Sequence, residues 1–486
     1  MDRFDTTKKH APSTLGDVLV LGLGTSGRTT CAYCVPLLGG RIASLTVAAG
    51  AANPEAEKVA EELRARGVEV VFDVYDFDRA YDLCIASPGI SENSEFYRNA
   101  AAHATEVISE VEFAWRESAA DSVWVAITGT NGKTTTTALA ASVLSACGFA
   151  AAAVGNIGDV CIDAVAGGAV SCYVAEVSSY QLASTRLFKP DVAVLLNITP
   201  DHLKWHGSLE AYAAAKRKVY ANCDESSCVI MDATNDVVRG FVRAAREEGR
   251  FPYIPLGTKD GLSGNMRSAC GSDNAAYLTA DGVLTVEYRG QVHSLCRADA
   301  LEIKGEHNAS NALAAASVAV ALGCDDAQVS RALVAFHPLE HRIEPCGTVA
   351  GVRCYNDSKA TNVDATLKAL AAFSPERPIV MLGGDDKGTD LAPLVAQAVR
   401  HCKAVVLFGA SRERFSAAFA SAADELAVLE AHKLADALDV ALDHAAPGDI
   451  VVLSPACASF DEFSCFEERG DVFKGLVADR RSLRGA

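Results

Sequence analysis

The stretch Ala126-Ile-Thr-Gly-Thr-Asn-Gly-Lys-Thr-Thr-Thr-Thr137 carries residue types suited to holding phosphate. Glycines in a turn let backbone N–H groups and the start of a following helix converge on an anion. Lys133 adds a positive charge on a long arm, and the Thr134 hydroxyl is a suitable ligand for Mg²⁺. The flanks supply matching elements: Val123-Trp-Val-Ala-Ile127 reads as a buried strand and Ala138-Leu-Ala-Ala-Ser-Val-Leu-Ser-Ala146 as a helix. The P-loop pattern is incomplete, because Ile127 holds the place of its first glycine. The alternative is a threonine-rich turn. Gly132-Lys133-Thr134 between strand and helix favours binding of a nucleoside triphosphate.

Further apolar runs deliver metal-ligand types. Ser171-Cys-Tyr-Val-Ala175 leads into Glu176, placed as a Walker-B acid would be, although a strand-end glutamate can also be merely solvated. Val192-Ala-Val-Leu-Leu-Asn197 leads to Ile198-Thr-Pro-Asp-His-Leu203, where His202 could offer a neutral imidazole at a strand end. On the next predicted helix, about Leu209 to Tyr220, Leu209, Tyr212, Lys216 and Tyr220 share one stripe while Arg217 and Lys218 turn away. Lys216 therefore faces the protein, where an unpaired ammonium is costly, or snorkels along the stripe to the surface.

Other candidates lie at predicted turns and helix starts. Gly22-x-Gly24-x-x-Gly27 follows the strand-like Asp17-Val-Leu-Val-Leu21 and leads into a helix from about Arg28. Its spacing fits a dinucleotide fingerprint. Yet Ala43-Ser-Leu-Thr-Val-Ala-Ala49, the second strand, ends without the ribose-binding acid, and Glu55 is the first acid after it. Ser87 follows the strand Tyr81-Asp-Leu-Cys-Ile-Ala86, in a ligand loop or a plain turn; Asn156 sits in a glycine-flanked turn or a ligand contact. Asn308 and Asn311 open an alanine-rich helix, as caps, nucleotide contacts or both. Near the C-terminus, loops after apolar runs carry Lys359, Lys387 and Ser459, a set suited to a dicarboxylate, against three ordinary solvated loops.

The elements that must position these residues alternate strand and helix throughout, which predicts α/β layers with largely parallel sheets. At 486 residues, half of them hydrophobic, the chain has room for about three domains with sizeable cores. A polar, glycine-rich stretch over 259–300 holds a predicted hairpin, Val283-Leu-Thr-Val-Glu-Tyr288 with Val292-His-Ser-Leu-Cys296. Forty-four basic against 62 acidic residues give a net charge of −18, which disfavours nucleic acid and anionic membranes as partners. The opening Met1–His10 is polar and unlike a signal peptide, and no apolar run is long enough to span a bilayer. The 16 cysteines read as reduced core residues of a cytoplasmic protein, Cys31-Ala-Tyr-Cys34 as two helix-borne core thiols. A ligase, a nucleotide-regulated switch and an NAD-dependent oxidoreductase all stay open on these residues alone.

Together, Thr128-Gly-Thr-Asn-Gly-Lys-Thr134, Glu176-Val-Ser-Ser179, Asp201-His202, Gly305-Glu-His-Asn308 and His341-Arg342 resemble the Mur ligases, ATP-dependent enzymes that build the peptide stem of bacterial peptidoglycan. The motifs run in family order along the whole chain. Asn356-Asp-Ser-Lys-Ala-Thr-Asn362, Leu453-Ser-Pro-Ala-Cys-Ala-Ser-Phe-Asp-Glu-Phe463 and Phe466-Glu-Glu-Arg-Gly470 look like the member that adds D-glutamate, and the Asp-Asn-Pro-Arg motif of the diaminopimelate- or lysine-adding member is absent.

The resemblance implies an α/β protein of three domains. Residues 1–111 would form a Rossmann-like domain for the UDP substrate. Residues 112–338 would form a P-loop ATPase-like domain on a mostly parallel sheet, and 339–486 a Rossmann-like domain for the amino acid. It implies a monomer that joins D-glutamate to UDP-N-acetylmuramoyl-L-alanine through an acyl phosphate, with ATP and Mg²⁺. By the same resemblance, Leu23, Gly24, Thr25, Ser26, Ser87 and Asn156 hold the UDP substrate. Gly129, Thr130, Asn131, Gly132, Lys133, Thr134 and Thr135, with Asn308, Asn311, Arg342 and Asp357, surround ATP. Thr134, Glu176, His202 and a carbamylated Lys216 hold Mg²⁺, and Lys133, Glu176, His202 and Lys216 are the catalytic set. Lys359, Thr361, Lys387, Ser459 and Phe466 take D-glutamate. One departure is the missing uracil-side acid in Val47-Ala-Ala-Gly50.

Overall fold

A computed structural model describes residues 4–74, 76–258, 262, 265–337, 340–386 and 388–484, with the side chains of 204 and 265 left aside. Among the described residues the strands form three sheets. β1 (Gly16–Leu21), β2 (Ile42–Ala49), β3 (Glu69–Phe72), β4 (Tyr81–Ala86) and β5 (Ala104–Ser109) make a parallel sheet in the order β3-β2-β1-β4-β5. The order reverses beside β1, so the turns after β1 and β4 face each other at a topological switch point. The helix after β1 spans Thr25–Cys34 and starts ahead of the expected Arg28. Its early start follows from the turn: Gly22 lies at φ +90° and the Gly24 carbonyl already accepts the Arg28 N–H at 2.9 Å.

The second sheet contains β6 (Val123–Thr128), β7 (Ala151–Gly155), β8 (Cys172–Glu176), β9 (Val192–Leu195), β10 (Cys228–Asp232), β11 (Tyr253–Gly257), β12 (Ala275–Leu278), β13 (Val283–Tyr288) and β14 (Gln291–Arg297). Its order is β14-β13-β12-β11-β10-β9-β6-β8-β7, parallel from β7 through β12, with the predicted hairpin forming the antiparallel edge. β6 pairs with β8 and β9, in register Ile127–Glu176 and Thr128–Leu195. Three loops thus leave one edge side by side.

The third sheet holds β15 (Glu344–Val349), β16 (Val352–Asn356), β17 (Ile379–Gly383), β18 (Ala404–Phe408), β19 (Ala427–Glu430) and β20 (Ile450–Leu453), in the order β15-β16-β20-β17-β18-β19. Only β15 is antiparallel among these pairings. β16, β17, β18 and β20 coincide with apolar runs of the sequence; β15 carries Pro345 and Gly347 and β19 a half-exposed face, so neither shows a continuous apolar run. The alternating layers and mostly parallel sheets are the α/β fold expected.

The chain divides into two compact units, Met1–Leu301 with Ala309–Phe336, and Glu302–Asn308 with His337–Ala486. Within the first, the wholly buried helix Glu110–Glu117 links the first two sheets through its charges. Glu117 takes Arg41 at 2.7 and 2.8 Å and the Tyr33 hydroxyl at 2.7 Å, while Glu112 accepts the Leu187 N–H at 2.9 Å and Arg116 Nε at 3.0 Å. All 16 cysteines are free thiols, and Cys31 and Cys34 are buried on one helix as expected.

Candidate active site

The phosphate-type loop is held from three directions within the first unit. Its two glycines are structurally required: Gly129 (φ +157°) would drive a Cβ to 2.9 Å from Leu196 Cβ, and Gly132 (φ +84°) would bring one to 2.4 Å from Asn311 Oδ1. Asn197 clamps the loop reciprocally, its Oδ1 accepting the Asn131 N–H at 2.9 Å and its Nδ2 donating to Asn131 O at 3.0 Å. Thr130 accepts the Thr199 N–H at 3.0 Å and lies 3.1 Å from the Tyr212 hydroxyl. The helix Lys133–Ala146 then opens on Gly132, its first turn leaving Lys133 and Thr134 half-buried beside a buried Thr135. Lys133 Nζ donates to Thr130 O at 2.9 Å. Asn311 accepts from Thr136 Oγ1 at 3.2 Å, so it braces the loop's helix as well as belonging to its own.

Glu176 ends β8 as expected but is not solvated: it is 1% exposed. Asn156 Nδ2 donates to its Oε1 at 2.7 Å, whereas Oε2 is buried without a hydrogen-bond partner. A buried carboxylate oxygen left in this state fits a cation. Lys216 is 1% exposed on the helix Leu209–Arg217, which excludes snorkelling, and its Nζ donates to Gly129 O at 2.7 Å over the Tyr212 ring. Burial first, then the nearby Lys133 charge, hold the amine far below its usual basicity, against the opposing pull of Asp201 and Glu176. Those influences place Lys133, Glu176, Asp201 and Lys216 within one electrostatic neighbourhood.

His202 is the exception to the strand-end expectation. β9 stops at Leu195, and His202 caps the short helix Leu203–His206 at φ +53°. The intervening residues are spent on gripping the phosphate loop through Asn197 and Thr199. His202 nonetheless belongs to the cluster: burial, then His202 and Lys216, push the His206 imidazole down to about 4. Among the described residues no three His, Cys, Asp or Glu side chains gather to hold a metal by themselves. A cation at Glu176 would therefore draw other ligands from Thr134, a modified Lys216 and phosphate oxygens.

At the first sheet's switch point, Leu23 is buried, Gly24 and Thr25 are exposed and Ser26 is half-buried. The three glycines differ in purpose. Gly22 needs its positive φ, a Cβ on Gly27 would meet Gly22 O at 2.0 Å, and Gly24 faces open space into which a ligand could approach. Ser87 Oγ is buried here without a partner, 2.9 Å from where a Gly22 Cβ would stand. Glu55 does not replace the missing acid of β2, because it pairs with Arg28 at 2.8 Å.

In the second unit, the loops after β16, β20 and β17 leave neighbouring strands at one sheet edge. Lys359 Nζ stands 3.6 Å over the Phe466 ring, Ser459 is buried, and Thr361 donates its N–H to Lys359 O at 2.8 Å. Lys387 lies outside the described residues. Asp357 is buried, accepts from Ser454 Oγ at 2.7 Å, and is pushed up to about 7, chiefly by burial, despite the nearby Arg342. Asn308 donates to Lys304 O at 2.9 Å, and its neighbour His307 is pushed down to about 4 by burial, Lys368 and Arg342.

Comparison with known proteins bears directly on this arrangement. Residues 127–319 match the family model for the Mur ligase middle domain, and 341–457 that for the Mur ligase glutamate ligase domain. A Caldanaerobacter subterraneus protein named UDP-N-acetylmuramoylalanine–D-glutamate ligase is 36% identical over 96% of this chain and 98% of its own. A Geobacter metallireducens protein of the same name is 37% identical over 86% and 88%. This chain belongs to the Mur ligase family. In fold, this Mur ligase is similar to the UDP-N-acetylmuramate–alanine ligase of Thermotoga maritima (TM-score 0.54, 17% identity, 95% of this chain and 99% of that one). It is likewise similar to the murein peptide ligase of Psychrobacter arcticus (TM-score 0.51, 18% identity, 97% and 99%).

The sequence reading of this Mur ligase missed three residues. Asn197 looked like the last residue of a strand. Tyr212 looked like stripe packing, yet its hydroxyl reaches Thr130. Arg469 is buried at 1% exposure, donating to Ser358 Oγ (2.9 Å), Ser358 O (2.8 Å), Ala458 O (3.0 Å) and Cys457 O (3.1 Å). It thereby ties the Lys359 loop to the Ser459 loop. A signal existed for Arg469, which lies inside the motif Phe466-Glu-Glu-Arg-Gly470, but not for its role.

Proposed function

We propose that this Mur ligase couples ATP hydrolysis to amide formation between the carboxylate of UDP-N-acetylmuramoyl-L-alanine and the amine of D-glutamate. The reading rests chiefly on one observation, similarity to ligases of that name over nearly the whole chain, including the C-terminal loops that carry Lys359 and Ser459. Residues 1–111, 112–338 and 339–486 are assigned to the UDP substrate, ATP and the amino acid. The cytoplasm is the expected compartment, with the monomer as the working form.

A carboxylate is a poor acyl donor to an amine, and bound Mg²⁺·ATP would supply the phosphoryl group that turns it into an acyl phosphate. The chain's own part is positioning and charge. Gly129 and Gly132, in a loop that Asn197 keeps in place through Asn131, present backbone N–H groups to phosphate oxygens, and Lys133 neutralises developing charge. Glu176 and Thr134 would hold the cation, with His202 and Lys216 beside them. Ser87 and the turn at Leu23, Gly24, Thr25 and Ser26 hold the diphosphate, with Asn156 reaching the same substrate. Lys359, Thr361, Lys387, Ser459 and Phe466 orient D-glutamate, while Asn308, Asn311, Arg342 and Asp357 contact the nucleotide.

The test is ADP release by the purified enzyme with UDP-N-acetylmuramoyl-L-alanine and each of D-glutamate, L-glutamate, diaminopimelate and lysine. Turnover is expected only with D-glutamate and only with both substrates present. ADP release independent of the amino acid, or selective for another one, overturns the assignment.

A further inference from the structure

In the second unit, the loops after β17 and β20 lie against each other just before the residues assigned to the amino acid. The Gly383 N–H donates to Pro455 O at 2.9 Å, and Asp385 and Ala458 exchange N–H···O bonds of 2.9 Å in both directions. Between them Gly384, at φ +132°, would drive a Cβ to 2.3 Å from Ala458 O. Ser459 is the residue after Ala458. Asp386 is the residue after Asp385, and Lys387, outside the described residues, follows it in sequence.

The helix Arg412–Phe419, which follows β18, holds the same loop from a third side. The Ser411 N–H donates to Gly384 O at 3.1 Å. From the first turn of the helix, Arg414 pairs with Asp386 at 2.5 Å and donates from its other terminal nitrogen to Thr389 O. One guanidinium thus holds the chain on both sides of Lys387. The two neighbouring acids differ in their surroundings. Asp385 is exposed, so water and salt screen it, whereas the Asp386 side chain is only 12% exposed. A poorly screened carboxylate beside a site for a dicarboxylate repels the substrate and competes for its cation. Arg414 compensates that charge, and its planar fork can serve a carboxylate and a carbonyl together.

We propose that Arg414 is a positioning residue for the amino-acid substrate: it neutralises Asp386 and fixes Thr389, so that the loop carrying Lys387 meets the Ser459 loop without an opposing charge. The inference rests on assigning this sheet edge to the amino acid. It goes beyond that assignment by giving Asp386 a cost that Arg414 removes.

The experiment compares the full-length wild type with R414Q, R414K, D386N and the double variant R414Q/D386N, measuring kcat, the three Michaelis constants and the melting temperature of each. R414Q should raise KM for the amino acid about tenfold while kcat and the other two constants stay within about twofold, the pattern of lost substrate binding. Adding D386N should recover most of that loss, because no uncompensated acid is left, and D386N alone should stay near wild type. R414K should fall between wild type and R414Q, keeping the charge but losing the fork. A double variant as impaired as R414Q would make Arg414 a mechanical brace and overturn the proposal. So would an unchanged KM for the amino acid in R414Q, or a loss spread equally over all three substrates together with a lowered melting temperature. The comparison uses whichever amino acid the wild type turns over. Failure of D-glutamate as a substrate would therefore remove the functional reading and leave this test standing.

Discussion

At the residue scale, Lys216 concentrates the physics of the site. Its amine is buried beside Lys133, and both burial and that charge disfavour the ammonium. A neutral amine can add CO₂, and the carbamate so formed would turn a disfavoured cation into an anionic ligand near Glu176 Oε2. Lys216→Ala and Lys216→Arg should therefore each lose about 10²-fold or more in kcat, since arginine keeps its charge and cannot be carbamylated. Three extra heavy atoms on Nζ are expected in a well-resolved crystal structure. A fully active arginine variant would leave the lysine a purely structural role. Tyr212 is tested more gently. Tyr212→Phe keeps the ring over Lys216 but removes the hydroxyl from Thr130, and should cost about 1 kcal/mol of ATP affinity or stability. Equilibrium nucleotide binding and thermal melting of the same samples would separate these; no change in either would mean that Asn197 alone fixes the loop.

Among the elements, the helix Glu110–Glu117 has an unusual burden, because all eight of its residues are buried and four carry charge. Glu112, Arg116 and Glu117 are paired, but Glu110 offers Oε1 to the Ile162 N–H at 2.7 Å and leaves Oε2 without a partner. Burial pushes it up from the ordinary glutamate range to about 7. The native state therefore holds this proton between roughly pH 4.5 and 7 while the unfolded chain releases it. Folding stability from this group is present at the acid end and declines as pH rises through that window. Asp357, also pushed up to about 7, adds a decline of the same sign in the second unit. Glu110→Gln should flatten the first decline, gaining on the order of 1–3 kcal/mol relative to wild type at pH 8 compared with pH 5. Denaturant midpoints at the two pH values would check it, and an equal difference in both proteins would place the titration elsewhere.

For the whole molecule, the assigned substrates fall on three different sheet edges, so defects should separate by substrate. Ser87→Ala should raise KM for the UDP substrate. Lys133→Ala should abolish ADP release without moving the melting temperature, because a lysine at the start of a helix contributes little to the core. Lys359→Ala should raise KM for D-glutamate by the equivalent of about 2–4 kcal/mol, leaving a substrate carboxylate without its cation. A full matrix of Michaelis constants reads all three at once. If Lys359→Ala raises KM for ATP and leaves that for D-glutamate unchanged, the amino-acid assignment is in the wrong place.

What the sequence determined by itself was local and periodic. The apolar runs gave β1, β6, β8 and β9, the glycine spacing marked both turns, and a stripe through Leu209, Tyr212, Lys216 and Tyr220 turned Lys216 inward. The motif order also named the family, since residue identity at a functional edge is constrained by the ligand rather than by packing. Tertiary structure alone decided which edges became neighbours. The β8-β6-β9 order brings Glu176 and Asn197 to the phosphate loop, and no run of sequence encodes a strand order. It moved His202 from a strand end to a helix cap, because the residues between are occupied in gripping Asn131 and Thr130. It also found partners for Arg469 in Ser358, Cys457 and Ala458, contacts made across long stretches of chain. Such pairs leave no mark in composition or periodicity, because each residue looks ordinary until folding brings the other to it.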